Sequence, residues 1–205
     1  MKLFWSSRSP FVRKVMVVAH ETSLVSRVEC VRTVVAPTKP NADVMALNPL
    51  NKLPTLLRDD DRPIYDSRVI CEYLDGLHAG QKLFPAAGEA RFEALRLQAL
   101  GDGILDFLLL GLSERVRPET QQSPDLKAAL DVKFTTAFDA LEREAKAFQS
   151  GPLTIGHLAI GCVLGYADFR YAAKAWRQGR PTLAAWGDTI LARPSYKATE
   201  HADVY

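Results

Sequence analysis

Three short segments carry residue types that could bind and activate a small ligand: Ser9-Pro10, Leu53-Pro54 and Asp66-Ser67. A serine hydroxyl at a helix N-terminus lies in positive potential, where it can stabilise an anion such as a thiolate. An extended residue before a proline leaves its N–H and C=O free to pair with the backbone of a bound peptide. An aspartate at a helix N-terminus offers an acceptor for an ammonium group beside donors for a carboxylate. These segments are therefore the candidate site.

Each segment also has an ordinary structural explanation. A serine before a proline is a common N-cap, and Asp66-Ser67 is also typical of the start of a helix. An X-Pro bond is cis in only about 5–6% of folded cases, so Leu53-Pro54 alone indicates no more than the start of a strand. Residue type and spacing leave the functional and the structural interpretation open at all three places.

Strand-like and helix-like segments alternate through the part of the chain that contains the candidates. Short strands are predicted at Leu3–Trp5, Ser26–Val35, Leu53–Leu57 and Pro63–Tyr65. Helices are predicted from Pro10, over Asp43–Leu47 and after the Asp66-Ser67 cap. Pro37 and Pro40 are expected to end the second strand. The element order is βαβ, then α, then ββα, with each candidate segment at the start of an element.

Helical periodicity dominates the rest of the chain. Residues 79–88 have the composition of a linker, which divides the sequence into a first domain of residues 1–78 and an all-helical domain of residues 89–205. Thr154 is expected to begin a helix that runs through Tyr171. The residue three positions on is His157 rather than an acidic residue, so the reciprocal half of a capping box is predicted to be lost.

Composition excludes several classes of protein. The net charge of +2 comes from 26 basic and 24 acidic residues without a basic stripe, so nucleic acid is not an expected partner. The apolar run Phe107–Leu112 is far shorter than the roughly 20 residues that cross a bilayer. The apolar residues Leu3–Trp5 are too few for the core of a signal peptide. A cytoplasmic protein with no membrane partner is predicted.

No metal site is predicted. The 4 histidines lie far apart in the sequence, without the spacing of metal ligands. Cys30, Cys71 and Cys162 form no CxxC pair, which argues against a disulfide framework or a zinc site. All three cysteines fall within strand or helix stripes, so we expect them to be small buried apolar residues.

Taken together, several segments resemble a known family. Ser9–Val15, Asn48–Leu56 and Tyr65–Leu74 look like the N-terminal domain of the cytosolic glutathione S-transferases. Gly165–Arg170 and Leu191–Ser195 resemble the bacterial serine-type members, so the likeness spans nearly the whole chain. The resemblance implies a thioredoxin-like α/β domain, an all-α helical domain and a cytoplasmic homodimer with a role in detoxification.

The resemblance also implies a mechanism. In serine-type members a hydroxyl near the start of the first helix stabilises the thiolate of glutathione, and this residue is Ser9 here. Ser6 is the second choice, because the serine-rich Ser6–Ser9 loop also resembles the zeta class. The thiolate would then attack a small hydrophobic electrophile held by the helical domain. Without a cysteine at position 9, a reductase that works through a mixed disulfide is disfavoured.

The resemblance implies that glutathione is the co-substrate that attacks the electrophile, and it implies residues that bind each part of glutathione. Leu53, before a cis Pro54, would pair with the cysteinyl backbone, and Asp66-Ser67 would hold the γ-glutamyl end. Lys52 and Lys39 would neutralise the glycyl carboxylate. The alternative is a noncatalytic glutathione-binding or regulatory module on the same fold, because a fold does not determine a function.

Overall fold

The computed structural model describes residues 1–36 and 38–203, so Pro37, predicted to end the second strand, lies outside the described residues. Strands and helices alternate up to residue 76, and the regular elements after it are helices. In chain order the elements are β1 (Lys2–Trp5), α1 (Pro10–Glu21), β2 (Glu29–Arg32), α2 (Ala42–Met45), β3 (Thr55–Leu57), β4 (Pro63–Ile64), α3 (Ser67–Gly76), α4 (Gly88–Arg115), α5 (Pro124–Glu144), α6 (Ile155–Arg170), α7 (Pro181–Leu191) and α8 (Pro194–Lys197). The predicted fold class, a small α/β domain followed by a helical domain, is confirmed.

The four strands form one mixed sheet in the order β2-β1-β3-β4. β2 runs parallel to β1, with Leu3 opposite Cys30, whereas β3 runs antiparallel, with Leu3 opposite Leu56. β4 is antiparallel to β3. Because of these directions, β1, β2 and β4 all end at the edge of the sheet where β3 begins.

Three strands are shorter than predicted, and the smallest difference is in β4, which ends at Ile64 rather than at Tyr65. β2 covers Glu29–Arg32 rather than Ser26–Val35, because it pairs only with the four residues of β1. Residues 25–27 form a single 3₁₀ turn before it. The ladder of β3 with β1 begins at Thr55 rather than at Leu53, and the intervening Pro54 has no N–H to donate.

The two domains share one apolar core. α1 is apolar on more than one face, and it packs against α3 of the sheet domain and α6 of the helical domain. α6 in turn lies directly against α4, where Gly156 approaches Leu97 so closely that a β-carbon would lie 2.6 Å from the Leu97 Cβ. Leu83 and Phe84 in the connection are buried, and both backbone N–H groups donate to the Asp75 carboxylate. The division into residues 1–78, 79–88 and 89–205 stays a prediction.

The predicted loss of the reciprocal cap at the start of α6 is wrong. The Thr154 N–H donates to Nδ1 of His157 over 3.0 Å, so a neutral imidazole replaces the usual carboxylate. The ring also packs beside Phe148 and Trp186. Burial there lowers the pKa of His157, which favours the neutral form that can accept this hydrogen bond.

Two of the three cysteines are buried, as predicted. Burial raises the pKa of Cys71 to about 12 and that of Cys162 to about 11, so both thiols stay protonated at neutral pH. The prediction for Cys30 is wrong, since this residue is exposed on β2. β2 is an edge strand with little covering it, and none of its residues is fully buried.

Candidate functional site

The direction of the strands brings the predicted site residues to one edge of the sheet. The loop Ser6–Ser9 follows β1, and the turn that contains Lys39 comes after β2. Lys52 and Leu53-Pro54 lead into β3, and Asp66 comes directly after β4. Since β3 begins at the edge where the other strands end, segments separated by up to 57 positions in the chain are gathered there. This convergence defines the candidate site.

The first segment presents two hydroxyl groups. Ser9 caps α1, because its Oγ accepts a hydrogen bond from the Val12 N–H over 3.3 Å. The cap uses a lone pair of the oxygen and leaves the hydroxyl proton available to a ligand. Ser6 Oγ is placed similarly and accepts from the Arg8 N–H over 3.4 Å. Both serines are half-buried residues, and a hydroxyl at the N-terminus of α1 would favour a bound anion.

The second segment is shaped by a buried asparagine. Asn48 donates to the Thr55 hydroxyl over 2.9 Å and to the Lys52 carbonyl over 3.3 Å. The Thr55 hydroxyl donates to the same carbonyl. These bonds fix the loop before β3, in which the Leu53–Pro54 peptide bond is cis, as the resemblance implies. The backbone of Leu53 lies just before the β1 ladder, and the side chain of Lys52 is exposed.

The third segment is the N-terminus of α3. The Asp66 carboxylate is exposed and caps the helix by accepting from the Arg68 N–H over 2.9 Å. Ser67 follows at the first helical position and is buried. An exposed carboxylate oxygen therefore lies next to helix N–H groups, the combination that an α-amino-acid end group needs.

A buried ion pair that sequence reasoning missed supports this third segment from the helical domain. Asp102 of α4 is almost inaccessible to solvent and binds Lys14 of α1 at 2.5 Å. Its other oxygen accepts from Nε of Arg68 at 2.8 Å. One carboxylate thus connects two helices of the sheet domain, and Arg68 is the residue directly after Ser67. The only sequence signal was an aspartate within an otherwise apolar stretch of helix.

Asp106 lies one helical turn further along α4 and faces the same region. The pKa of Asp106 is raised, because partial desolvation of this exposed side chain and the nearby Asp102 outweigh the opposite effects of Lys52 and Arg68. A carboxylate of the helical domain is therefore close in space to the basic residues at the sheet edge. The candidate site lies where the two domains meet, with charges of both signs around it.

Two further observations concern the described residues, 1–36 and 38–203. No group of three or more histidine, cysteine, aspartate or glutamate side chains within them is arranged to hold a metal ion. No helix among them is long and apolar enough to cross a membrane.

Comparison with known proteins agrees with this architecture. The family model for the glutathione S-transferase N-terminal domain matches residues 8–77, and that for the C-terminal domain matches residues 124–187. The fold and the matched domains define a protein with a thioredoxin-like domain and a helical domain. The chain belongs to the glutathione S-transferase family.

Individual relatives match over nearly their whole length. The chain is 30% identical to an uncharacterised GST-like protein, YibF, of Escherichia coli K12, covering 98% of each chain. A glutathione transferase family member from Pseudomonas fluorescens Pf-5, solved with bound glutathione, is 39% identical with a TM-score of 0.95 over 98% of each chain. A structure of a family member from the same organism with bound S-(propanoic acid)-glutathione has a TM-score of 0.90 at 38% identity, over 98% of this chain and 100% of that one.

Proposed function

We propose that this chain is a glutathione transferase that binds glutathione at the sheet edge and transfers its thiolate to a small hydrophobic electrophile. The observation that carries the proposal is the convergence of Ser9, Leu53-Pro54 and Asp66-Ser67 at one edge of the sheet. The glutathione and the S-(propanoic acid)-glutathione bound in the two Pseudomonas structures support the choice of ligand. Removal of reactive electrophiles, a detoxification role, would be the purpose of the reaction.

Each part of glutathione has a proposed partner. The Leu53 backbone would pair with the cysteinyl residue, as an added strand pairs with a sheet edge. Asp66 would accept from the γ-glutamyl ammonium, and the Ser67 N–H and hydroxyl would donate to its carboxylate. The exposed Lys52 and Lys39 would neutralise the glycyl carboxylate.

Two hydroxyl groups are candidates to donate a hydrogen bond to the thiolate. We assign the role to Ser9, whose hydroxyl proton is available at the N-terminus of α1. A hydrogen bond from Ser9 to the sulfur would stabilise the thiolate and lower the pKa of the glutathione thiol. Ser6 is retained as the second choice.

Titration with reduced glutathione, followed by calorimetry, is the experiment that tests the site without requiring the unknown electrophile. We expect the wild-type protein to bind and Asp66→Ala to weaken binding at least about tenfold, because a charge-assisted hydrogen bond to the ammonium group is lost. Asp60→Ala is the matched control, since Asp60 is an exposed aspartate in the turn at the opposite end of β3. Absence of wild-type binding would refute the proposal.

The two serines can be separated by single substitutions. We expect Ser9→Ala to lower the rate of conjugation of an aryl halide about 100-fold, as removal of one donor to a developing anion does in other enzymes. The thiolate absorbance of bound glutathione should shift to higher pH in the same variant. Ser6→Ala should change neither quantity. The reverse pattern would transfer the role to Ser6.

A noncatalytic glutathione-binding or regulatory module is the second candidate function. The YibF relative is described only as GST-like, so membership of the family does not by itself establish turnover. Tight binding of glutathione without conjugation of any electrophile in a broad screen would favour this candidate.

We also propose a homodimer that forms through α3 and α4. Val69 and Phe92 are 51% and 69% exposed there, beside a cavity of about 400 Å³ between the two helices. The amide nitrogen of Gln98 in the same cavity is buried without a hydrogen-bond partner among the described residues. Light scattering should show a dimer that Phe92→Asp dissociates and that Val132→Asp, on the exposed face of α5, leaves intact. A monomeric wild-type protein would contradict the proposal.

The cytoplasm is the proposed compartment. The cysteines Cys30, Cys71 and Cys162 are all free thiols, which fits a reducing environment. Glutathione in its reduced form would also be available there as a co-substrate.

A further inference from the structure

The segment that follows α8, residues 200–203, lies against the loop that carries the candidate serines. Ser7 is in the middle of this loop, and its Oγ donates to the Ala202 carbonyl over 2.8 Å. Nδ1 of His201 donates to the Ser7 carbonyl over 3.1 Å. The ring of His201 stacks on Phe169 near the end of α6. These contacts hold the next residue, Asp203, close to the loop that carries Ser6 and Ser9.

Asp203 is held by a two-pronged ion pair. Nη1 of Arg170 contacts Oδ2 of Asp203 at 2.7 Å, and Nη2 contacts Oδ1. Arg8, in the same loop as Ser7, is close enough to help lower the pKa of Asp203 after the larger effect of Arg170. Two parallel N–H···O bonds are the geometry with which an arginine binds the carboxylate of a ligand.

Arg170 is held more firmly by its surroundings than Asp203 is. Arg170 is only 21% exposed, and its guanidinium lies 3.9 Å above the Phe169 ring. Arg115 donates through two nitrogens to the Arg170 carbonyl, which adds another positive charge at the end of α6. Asp203, in contrast, is 52% exposed and belongs to a segment without regular secondary structure. Among the residues that the structure describes, the carboxylate bound to Arg170 is therefore held less firmly than Arg170 itself.

We propose that Arg170 is a carboxylate-binding subsite for the second substrate, and that Asp203 is a built-in occupant that an acidic ligand displaces. The inference rests on the proposed glutathione site and names the class of electrophile: a small molecule that carries a carboxylate. A carboxylate on the group attached to sulfur would exchange with that of Asp203, so no net charge is buried. Neutral electrophiles would gain nothing from the exchange.

Two ligands of equal length test the subsite in the full chain. S-(2-carboxyethyl)glutathione carries the acidic group, and S-propylglutathione replaces it with a methyl group. We expect Arg170→Gln to weaken binding of the acidic ligand about tenfold and to leave the neutral one unchanged. Asp203→Asn should strengthen binding of the acidic ligand alone, because a competing carboxylate is removed.

The controls separate this inference from the proposed function. If S-propylglutathione binds but the acidic ligand shows no preference and no response to Arg170→Gln or Asp203→Asn, the ion pair is only an anchor for residues 200–203 and the subsite is refuted. If neither ligand nor glutathione binds the wild-type protein, both proposals are refuted together. Should Arg170→Gln not fold, the stronger binding of the acidic ligand alone that is expected for Asp203→Asn still decides the question.

Discussion

Replacing Asp102 with alanine is expected to lower the free energy of unfolding by about 3–5 kcal/mol, because removal of one member of a buried ion pair leaves the other charge uncompensated. Lys14 is fully buried, and Asp102 is its anionic partner at 2.5 Å. The substitution would also release Arg68 beside the γ-glutamyl end of the proposed site. Urea unfolding followed by circular dichroism gives the free energy directly.

Two variants on the same network serve as controls. Arg68→Ala removes a half-exposed partner and is expected to cost about 1 kcal/mol or less, since solvent screens exposed charges. Asp106→Ala, one turn along α4 and exposed, should change stability still less. A loss below about 1 kcal/mol for Asp102→Ala would contradict the assignment, because it would mean that water compensates the charge of Lys14 at little cost.

The local features of the candidate site were accessible from the sequence. Ser9 before Pro10 and Asp66 before an apolar helix both predicted the caps that the structure shows, because an N-cap depends on residues within one helical turn. The alternation of strands and helices predicted the element order. The convergence of the segments followed from the resemblance and is explained by the strand directions of the sheet.

The contacts between distant residues could not be predicted in the same way. Lys14 and Asp102 are 88 positions apart, and Ser7 and Ala202 are 195 positions apart, so neither pair leaves a periodic signal. Cys30 was predicted to be buried because it falls within a strand stripe, but the position of the strand at the edge of the sheet decides its exposure. The cap at His157 was not predicted because the capping-box pattern has glutamate or glutamine at this position. A neutral imidazole nitrogen nevertheless accepts the same hydrogen bond.

Mild acid is expected to destabilise the protein through His201. Burial, reinforced by the nearby Arg13, lowers the pKa of His201 from the ordinary 6.5 to about 4. Between these two pH values the unfolded chain binds a proton that the folded protein does not, so the free energy of unfolding falls as the pH falls. The full contribution is present above about pH 6.5, and the loss on reaching pH 4 amounts to about 3 kcal/mol.

His157 acts in the same direction. The pKa of His157 is lowered by burial, and its protonation would convert the acceptor of the Thr154 N–H into a donor. The pH dependence is therefore expected to have two separable parts, one at the start of α6 and one in residues 200–203.

The two parts are separated by comparing variants at pH 7.5 and pH 4.5. His201→Phe keeps a ring that can stack on Phe169 but has no nitrogen to protonate, so its loss of stability between the two pH values should be about 2–3 kcal/mol smaller than that of the wild-type protein. His157→Asp keeps an acceptor at the start of α6 and should reduce the loss by a smaller amount, since a cap contributes about 1 kcal/mol. Carboxylates elsewhere titrate equally in all three proteins and cancel in the comparison. Identical losses of stability in the wild-type protein and His201→Phe would contradict this prediction. They would show that residues 200–203 detach from the Ser7 loop before the imidazole becomes charged. Hydrogen exchange at these residues should then accelerate below pH 6.5 without global unfolding.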